Sequence, residues 1–239
     1  MNKMLLVTLL LLAVIALLLL TPLPASTPIA KTAEYTSTKV LISQGEFQGK
    51  PATVVEYDWG DWRDWLNLAR SLVGLGSNPN SIAMLNGSSF TNGVIEADLA
   101  STIPEGSGGM ARGFIGIAFR VAPDLNSYEA IYLRPANGRI DDPERRTRAL
   151  QYISHPDFHF DVSRKTNPGV YETGADIGLG EWIKLRIEVD GAVAKVYVNG
   201  QPLLTVNDLK LGATRGGGVA LWVNPGSKAY FANLVITPK

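Results

Sequence analysis

The chain has 239 residues, and its 22 Lys and Arg residues balance its 22 Asp and Glu residues to a formal net charge of zero. Such a chain has no long-range attraction for nucleic acid or for an anionic membrane, so any binding must come from local chemistry. Cysteine does not occur, which excludes disulfides and a lipid-modified N-terminal cysteine.

The N-terminal segment has the pattern of an export signal. An apolar run extends from Met4 to Leu20 after the positive charge of Lys3. Leu23 and Ala25 then suit the −3 and −1 positions of a cleavage site. We predict a signal peptide over residues 1–25, an exported (periplasmic or extracellular) protein, and no membrane association once the signal is removed. The alternative is a membrane anchor, because the run approaches the roughly 18 to 20 residues that span a bilayer.

The remainder of the chain predicts a tether followed by one all-β domain. Residues 26–39 are rich in Thr, Ser and Ala without an apolar period, which indicates a tether. Over residues 40–239, short apolar runs alternate with Gly, Pro, Asn and Asp, as in a two-sheet antiparallel β-sandwich, here a jelly roll. One helical pattern occurs, near residues 62–75. The predicted strands are 52–55, 81–85, 93–99, 113–121, 128–134, 149–154, 182–189, 194–199, 217–223 and 229–237.

Alternation with a period of two assigns the two faces of several strands. It places Gly116, Ala118 and Arg120 on the face opposite the core. We call the shallow surface formed by these two small residues and one charged residue the low floor. Asn199-Gly200 predicts a hairpin turn. The predicted core residues are Ile115, Ile117, Phe119, Val121, Ile183, Leu185, Ile187, Val189 and Val196.

Three segments carry a resemblance to a known superfamily: Phe90–Asp98, Gly113–Arg120 and Tyr128–Pro135. Together they resemble the concanavalin A-like lectin/glucanase superfamily, and most closely the bacterial laminin-G-like and 3-keto-disaccharide hydrolase-like domains. The resemblance covers roughly residues 47–236. It implies a two-sheet jelly roll whose concave sheet carries a carbohydrate groove. The fold alone does not specify a function.

The catalytic pattern of the laminarinase-type glucanases is incomplete. Those enzymes carry three acids on one face of a strand, which supply the nucleophile and the acid/base. Here Glu96 and Asp98 share a face, but Ala100 or Ser101 replaces the third acid. That mechanism is therefore not predicted.

We expect a carbohydrate site where the low floor meets the next strand. Arg, Gln, Tyr and His side chains hydrogen-bond sugar hydroxyls or a carboxylate, and consecutive strands are often adjacent. The alternative is that Arg120 and Arg134 merely pair with Glu96 or Glu129 across the sheet. The predicted site residues are Arg120, Tyr132, Arg134, Gln151 and His155.

No cofactor is predicted, although calcium stays open. Asp141 with Asp142, or Asp124 with Asn126, offers the oxygen ligands that calcium prefers. His155 and His159 have helical spacing for a metal, but the intervening Pro156 argues against a helix.

Three functional hypotheses follow. The first is a secreted carbohydrate-binding or carbohydrate-processing domain with a groove on one sheet. The second is a non-catalytic adhesive or scaffold domain. The third is a glycoside hydrolase or lyase with a non-standard site. Carbohydrate is the expected partner in the first and third hypotheses.

Overall fold

The computed structural model describes residues 34–60 and 80–239, and the backbone of residues 29–31. The β-sandwich lies in the compact unit that comprises residues 28–57 and 79–239. Its strands are β1 (Ile29–Lys31), β2 (Tyr35–Thr38), β3 (Val40–Phe47), β4 (Lys50–Tyr57), β5 (Ile82–Leu85), β6 (Gly93–Thr102), β7 (Ile115–Val121), β8 (Tyr128–Leu133), β9 (Leu150–His155), β10 (Glu172–Thr173), β11 (Ile183–Asp190), β12 (Val193–Val198), β13 (Gln201–Val206), β14 (Gly218–Val223) and β15 (Lys228–Pro238). Its short helices are α1 (Pro135–Gly138), α2 (Pro143–Arg146) and α3 (Phe160–Thr166).

The strands form two antiparallel sheets. Sheet A has eight strands in the order β1-β2-β5-β14-β7-β8-β9-β10. Sheet B has seven strands in the order β13-β12-β11-β6-β15-β4-β3. The predicted two-sheet jelly roll is therefore confirmed. Among the described residues, no helix is long and apolar enough to cross a membrane.

The core lies between the inner faces of the two sheets, where alternate residues of each strand meet. The predicted core is confirmed for eight residues, each at most 2% exposed: Ile115, Ile117, Phe119, Ile183, Leu185, Ile187, Val189 and Val196. Alternation identified these residues because each of their strands keeps a period of two on its buried side.

Val121 is the exception, and a β-bulge is the reason. Phe119 pairs with Val219 and Val121 pairs with the adjacent Gly218, so Arg120 is the extra residue. Its φ of 55° lies in the left-handed region. Because a bulge shifts the alternation by one residue, Val121 packs on the outer face of sheet A and not in the core.

The sandwich begins earlier than the predicted boundary at residue 40. Strands β1 and β2 lie within the segment 26–39, and β2 pairs with β5. Tyr35, Ser37 and Thr38 are buried. The tether interpretation is therefore wrong for these strands, because small polar residues can form a strand when a distant strand supplies their partners.

The other local predictions have mixed outcomes. The hairpin at Asn199-Gly200 is confirmed: both residues have positive φ, 50° and 81°, and β12 pairs with β13. The three short helices were not predicted from the sequence pattern. The signal peptide over 1–25 and the helix near 62–75 lie outside the described residues and stay predictions.

Candidate binding site on the outer face of sheet A

The outer face of sheet A, which points away from sheet B, carries a stacked pair of aromatic rings. The strand register places Trp222, Gly116 and Tyr132 side by side on β14, β7 and β8. A Cβ on Gly116 would lie only 2.6 Å from the Tyr132 Cβ. Since glycine leaves this space free, the Tyr132 and Trp222 rings stack across β7 with centroids 4.5 Å apart.

Small residues line the face beside this pair. Ala220, Ala118 and Ala130 lie in register on the same three strands. They form one buried cluster with Tyr128, Tyr132 and Trp222. The sequence predicted a low floor around Gly116 and Ala118, and the alanines of β8 and β14 extend it.

Two buried polar atoms at this floor interact with each other, but not in ordinary hydrogen-bond geometry, and neither makes a hydrogen bond with another described residue. They are the Tyr128 hydroxyl and the Trp222 indole Nε1. Burial raises the pKa of Tyr128 well above its usual value, so the hydroxyl stays protonated at neutral pH. A buried group without any partner costs about 1–3 kcal/mol, a poorly formed hydrogen bond leaves part of that cost, and a ligand oxygen placed here would lower it.

A guanidinium borders the stacked pair. Arg134, directly after β8, donates to the Tyr132 hydroxyl at 2.5 Å and to Gln151 Oε1 at 3.3 Å. Its guanidinium carbon lies 4.8 Å from the Tyr132 ring centroid. Gln151 faces Tyr132 across β8 and β9. The structure thus brings three of the predicted site residues into one network.

A pair of histidines lies at the other end of β9. His155 Nδ1 and His159 Nε2 are 3.1 Å apart, and the His155 ring stacks on Tyr128 at 4.8 Å. Burial lowers the pKa of each imidazole to about 4. Both rings are therefore neutral at pH 7, and one donates to the other.

Arg120 does not belong to this face. As the extra residue of the bulge, it is fully buried, and its guanidinium donates to three loop carbonyls: Thr91, Gly191 and Gly212. The predicted position of Arg120 on the open face is therefore wrong. Its side chain links three loops through hydrogen bonds and does not line the low floor.

The predicted set omits Tyr128, Trp222 and His159. The alternation of β8 places Tyr128 on the same face as Tyr132, so a signal for it exists in the sequence. Trp222 has a weaker signal, because β14 reaches β7 only through a long connection. His159 lies outside any strand, immediately before α3.

Two of the candidate calcium ligands, Asp142 and Asp124, accept local hydrogen bonds. Asp142 Oδ1 accepts the Arg145 backbone N–H at 3.0 Å, and Asp124 Oδ1 accepts the Asn126 N–H at 3.1 Å. These are ordinary helix-cap and turn contacts. Over residues 34–60 and 80–239, no group of three or more His, Cys, Asp or Glu side chains could hold a metal ion.

The acids of the incomplete glucanase pattern lie on the other sheet. Glu96 and Asp98 share the outer face of sheet B, as the alternation predicted. Glu96 pairs with Arg186 at 3.1 Å, and Asp98 pairs with Lys50 at 2.8 Å. Asn233 also donates to Asp98 at 2.7 Å. These acids act as cross-strand ion-pair partners.

Comparison with known proteins identifies the family. Residues 71–237 match the model of the 3-keto-alpha-glucoside-1,2-lyase-like domain, a concanavalin A-like and galectin-like β-sandwich family. The chain belongs to this family. The match covers most of the domain, including both strands that carry the stacked aromatic pair, and it confirms the resemblance noted in the sequence. A search of curated protein sequences returns no match for this family member.

Solved structures share the fold of this 3-keto-alpha-glucoside-1,2-lyase-like domain. The carbohydrate-binding module CBM66 from Bacillus subtilis is similar at 14% identity and a TM-score of 0.50, with 83% of this chain and 94% of that chain covered. A Bacillus subtilis protein of unknown function with a galectin-like fold is similar at 11% identity and a TM-score of 0.48, with 82% and 87% covered. At such identities, the likeness to the module shows the fold alone.

Proposed function

We propose that this 3-keto-alpha-glucoside-1,2-lyase-like domain is an exported carbohydrate-binding domain whose site is the outer face of sheet A. The observation that carries the proposal is the stacked Tyr132–Trp222 pair beside the Tyr128 hydroxyl and the Trp222 Nε1, whose mutual contact lacks ordinary hydrogen-bond geometry. Sugar rings pack against aromatic faces, and their hydroxyls hydrogen-bond the polar tips of Tyr and Trp. The family match and the carbohydrate-binding module among the structural neighbours support the same class of ligand.

Access is expected at the margin of the face. Tyr132 and Trp222 are each 3% exposed. Phe114 and Met84 pack against the same cluster and are partly exposed. The Phe114 ring centroid lies 6.2 Å from that of Tyr132. A sugar that displaces these two marginal side chains would reach the stacked pair.

The test compares one tryptophan on each sheet. Trp222→Phe keeps an aromatic ring but removes the indole N–H. Trp182 lies on the outer face of sheet B, where it contacts Phe47 and Lys50, and Trp182→Phe is the matched control. Calorimetric titration of the full chain against a panel of oligosaccharides should show affinity lowered about three- to tenfold for Trp222→Phe, the loss of one hydrogen bond.

The opposite pattern would contradict the site assignment. Unchanged affinity in a folded Trp222→Phe, with a loss in Trp182→Phe, would place the sugar on sheet B. Absence of binding to every oligosaccharide in the panel would favour the adhesive or scaffold hypothesis.

A second candidate is elimination chemistry on a 3-keto glycoside, favoured by the neutral His155–His159 pair. In such a sugar, the ketone at C3 acidifies the C2 proton. A base that takes this proton leaves the electron pair to form the C1–C2 double bond. The C1–O bond then breaks, and the released alkoxide takes a proton to become an alcohol. A neutral imidazole can serve as the base, and the buried Tyr128 hydroxyl could donate to the developing enolate oxygen.

The assay for this candidate follows both products. The full chain is incubated with an aryl 3-keto-α-glucoside, and aryl alcohol release is measured together with the ultraviolet absorbance of the conjugated enone. We expect turnover that His155→Asn lowers at least a hundredfold, as is usual for loss of a catalytic base. Binding without turnover would restrict the function to recognition.

A further inference from the structure

Five arginines cluster at the end of sheet A beside Tyr132, around α1 and α2. They are Arg112, Arg134, Arg145, Arg148 and Arg164. Two of them have a carboxylate of their own. Arg148 pairs with Glu144, and Arg164 holds both oxygens of Glu172, at 2.8 and 2.5 Å.

Arg134 is buried without a carboxylate at hydrogen-bonding distance. Its nearest one, Glu172, lies 3.8 Å away and is already held by Arg164. Its close partners are neutral: the Tyr132 hydroxyl, Gln151 and the Arg148 carbonyl at 2.8 Å. Burial lowers the pKa of this guanidinium, Tyr132 and Glu172 oppose that shift, and the like charges of Arg164 and Arg148 add to it.

Arg112 lies against the same segment. Its carbonyl accepts the Ala136 N–H at 3.2 Å, which holds the loop before β7 beside Arg134 and α1. Its guanidinium donates only to the carbonyls of Gly109 and Ala111, at 2.7 and 2.6 Å. Burial is the largest cause that lowers the pKa of Arg112, and the like charges of Arg145 and Arg134 lower it further.

Guanidinium groups outnumber their ion-pair partners in this cluster. Among the described residues, Arg148 pairs with Glu144 and Arg164 pairs with Glu172, while Arg134 lies 3.8 Å from that same Glu172. Uncompensated charge in a half-buried place is destabilising, because the repulsion is poorly screened there. An anionic group bound among these arginines would remove the imbalance.

We propose that the site on sheet A takes an acidic glycan, with the carboxylate of a uronic-acid residue held by Arg112, Arg134 and Arg145. The proposal rests on the proposed function and names its ligand class. The Arg134 guanidinium lies over the Tyr132 ring, so a sugar at the stacked pair has its substituents within reach of the cluster. The planar fork of arginine matches a carboxylate with two parallel hydrogen bonds.

The experiment removes the ligand charge while keeping the sugar ring. The full chain is titrated calorimetrically with oligogalacturonides and with the same oligomers after methyl esterification. Parallel arms use glucuronate oligomers, sulfated oligosaccharides and neutral oligosaccharides. We expect the acid form of a uronate oligomer to bind at least tenfold tighter than its methyl ester. High salt should reduce that preference, because Arg112 and Arg145 are partly exposed and salt screens their charges.

Variants assign the preference to the cluster. Arg112→Gln should lower the ratio of acid to ester affinity about tenfold. Arg145→Gln is a second variant, because no described residue makes a hydrogen bond with its side chain and its loss leaves the fold intact. Arg186→Gln on the outer face of sheet B is the control, and it should leave both affinities unchanged.

The outcomes separate the two proposals. Equal or tighter binding of the methyl ester or of neutral oligosaccharides would overturn the acidic-glycan inference and leave the proposed function standing. Binding of sulfated oligosaccharides alone would overturn the carboxylate assignment. No binding in any arm would overturn both proposals.

Discussion

The outer faces of the two sheets follow the same alternation but differ in how their charges are balanced. On sheet B, Arg186 pairs with Glu96 at 3.1 Å and with Glu188 at 2.8 Å, and Lys228 pairs with Glu56 at 3.0 Å. All of these side chains are at least a third exposed. On sheet A, the face is aromatic and alanine-rich, and Arg134 is buried beside it without a carboxylate of its own.

This difference separates a solvated surface from a candidate site. Exposed ion pairs contribute only about 0–1 kcal/mol each, so these exposed charges of sheet B need no further explanation. Buried polar groups with poorly formed hydrogen bonds cost more. The contact between Tyr128 and Trp222 and the arginines near sheet A therefore support the proposed site on that sheet.

The largest expected effect tests whether the outer face of sheet A is packed. Ile153 lies on that face and is 1% exposed. Ile153→Ala should lower the free energy of unfolding by about 2–5 kcal/mol, the same range as Leu185→Ala in the core. Lys184→Ala, on the exposed face of sheet B, should change it by less than about 0.5 kcal/mol. Denaturant unfolding measures all three, and equal midpoint shifts for Lys184→Ala and Leu185→Ala would reject the face assignments.

The pH dependence of stability should come from the sheet A side. His155 and His159 titrate near pH 6.5 in an unfolded chain, but burial lowers the pKa of each to about 4 in the fold. Between these values the unfolded state binds more protons, so stability falls as the pH drops from about 6.5 towards 4. Above about pH 7.5, both states are neutral at these sites and the contribution is fully present. The loss should be on the order of 3 kcal/mol for each histidine.

A double variant isolates this contribution. His155→Gln with His159→Gln should flatten the dependence of the unfolding free energy between pH 5 and pH 7. Burial raises the pKa of Glu129, but this group is common to both proteins and cancels in the comparison. An unchanged slope in the double variant would mean that other groups set the pH dependence.

The smallest predicted effect is the difference in unfolding free energy between two arginine variants, one near each outer face. Arg134→Gln removes the donor that serves Tyr132, Gln151 and the Arg148 carbonyl, and it should cost about 1–3 kcal/mol. Arg186→Gln removes exposed pairs and should cost about 0–1 kcal/mol. Thermal unfolding of the two variants gives the ranking. The contrast between the faces fails if Arg186→Gln is the more destabilising change.

Much of the fold could be predicted because a period of two identifies a half-buried strand without knowledge of its partners. The ten predicted strands all occur. The bulge at Arg120 could not be predicted, because it depends on how β7 pairs with β14. The same applies to β2, whose Ser37 and Thr38 carry no apolar signal and are buried only through pairing with β5.

The site could be predicted in part for the same reason. Tyr132, Arg134 and Gln151 meet because β8 and β9 are consecutive and adjacent, an arrangement that a sequence favours. Trp222 joins them from a strand about 90 residues further along the chain. The local sequence pattern gives no signal for a contact over this distance. His155 lies on the predicted face, but its partner His159 comes from a loop whose path the sequence does not specify.

The most direct test of the glycan site observes the indole N–H groups during binding. In protein labelled with ¹⁵N at tryptophan, Trp222→Phe and Trp182→Phe assign the two relevant signals. A titration with the tightest-binding oligosaccharide should move the Trp222 signal downfield, as its N–H gains a well-aligned acceptor, and leave the Trp182 signal in place. A Trp182 signal that moves while the Trp222 signal stays fixed would contradict the account.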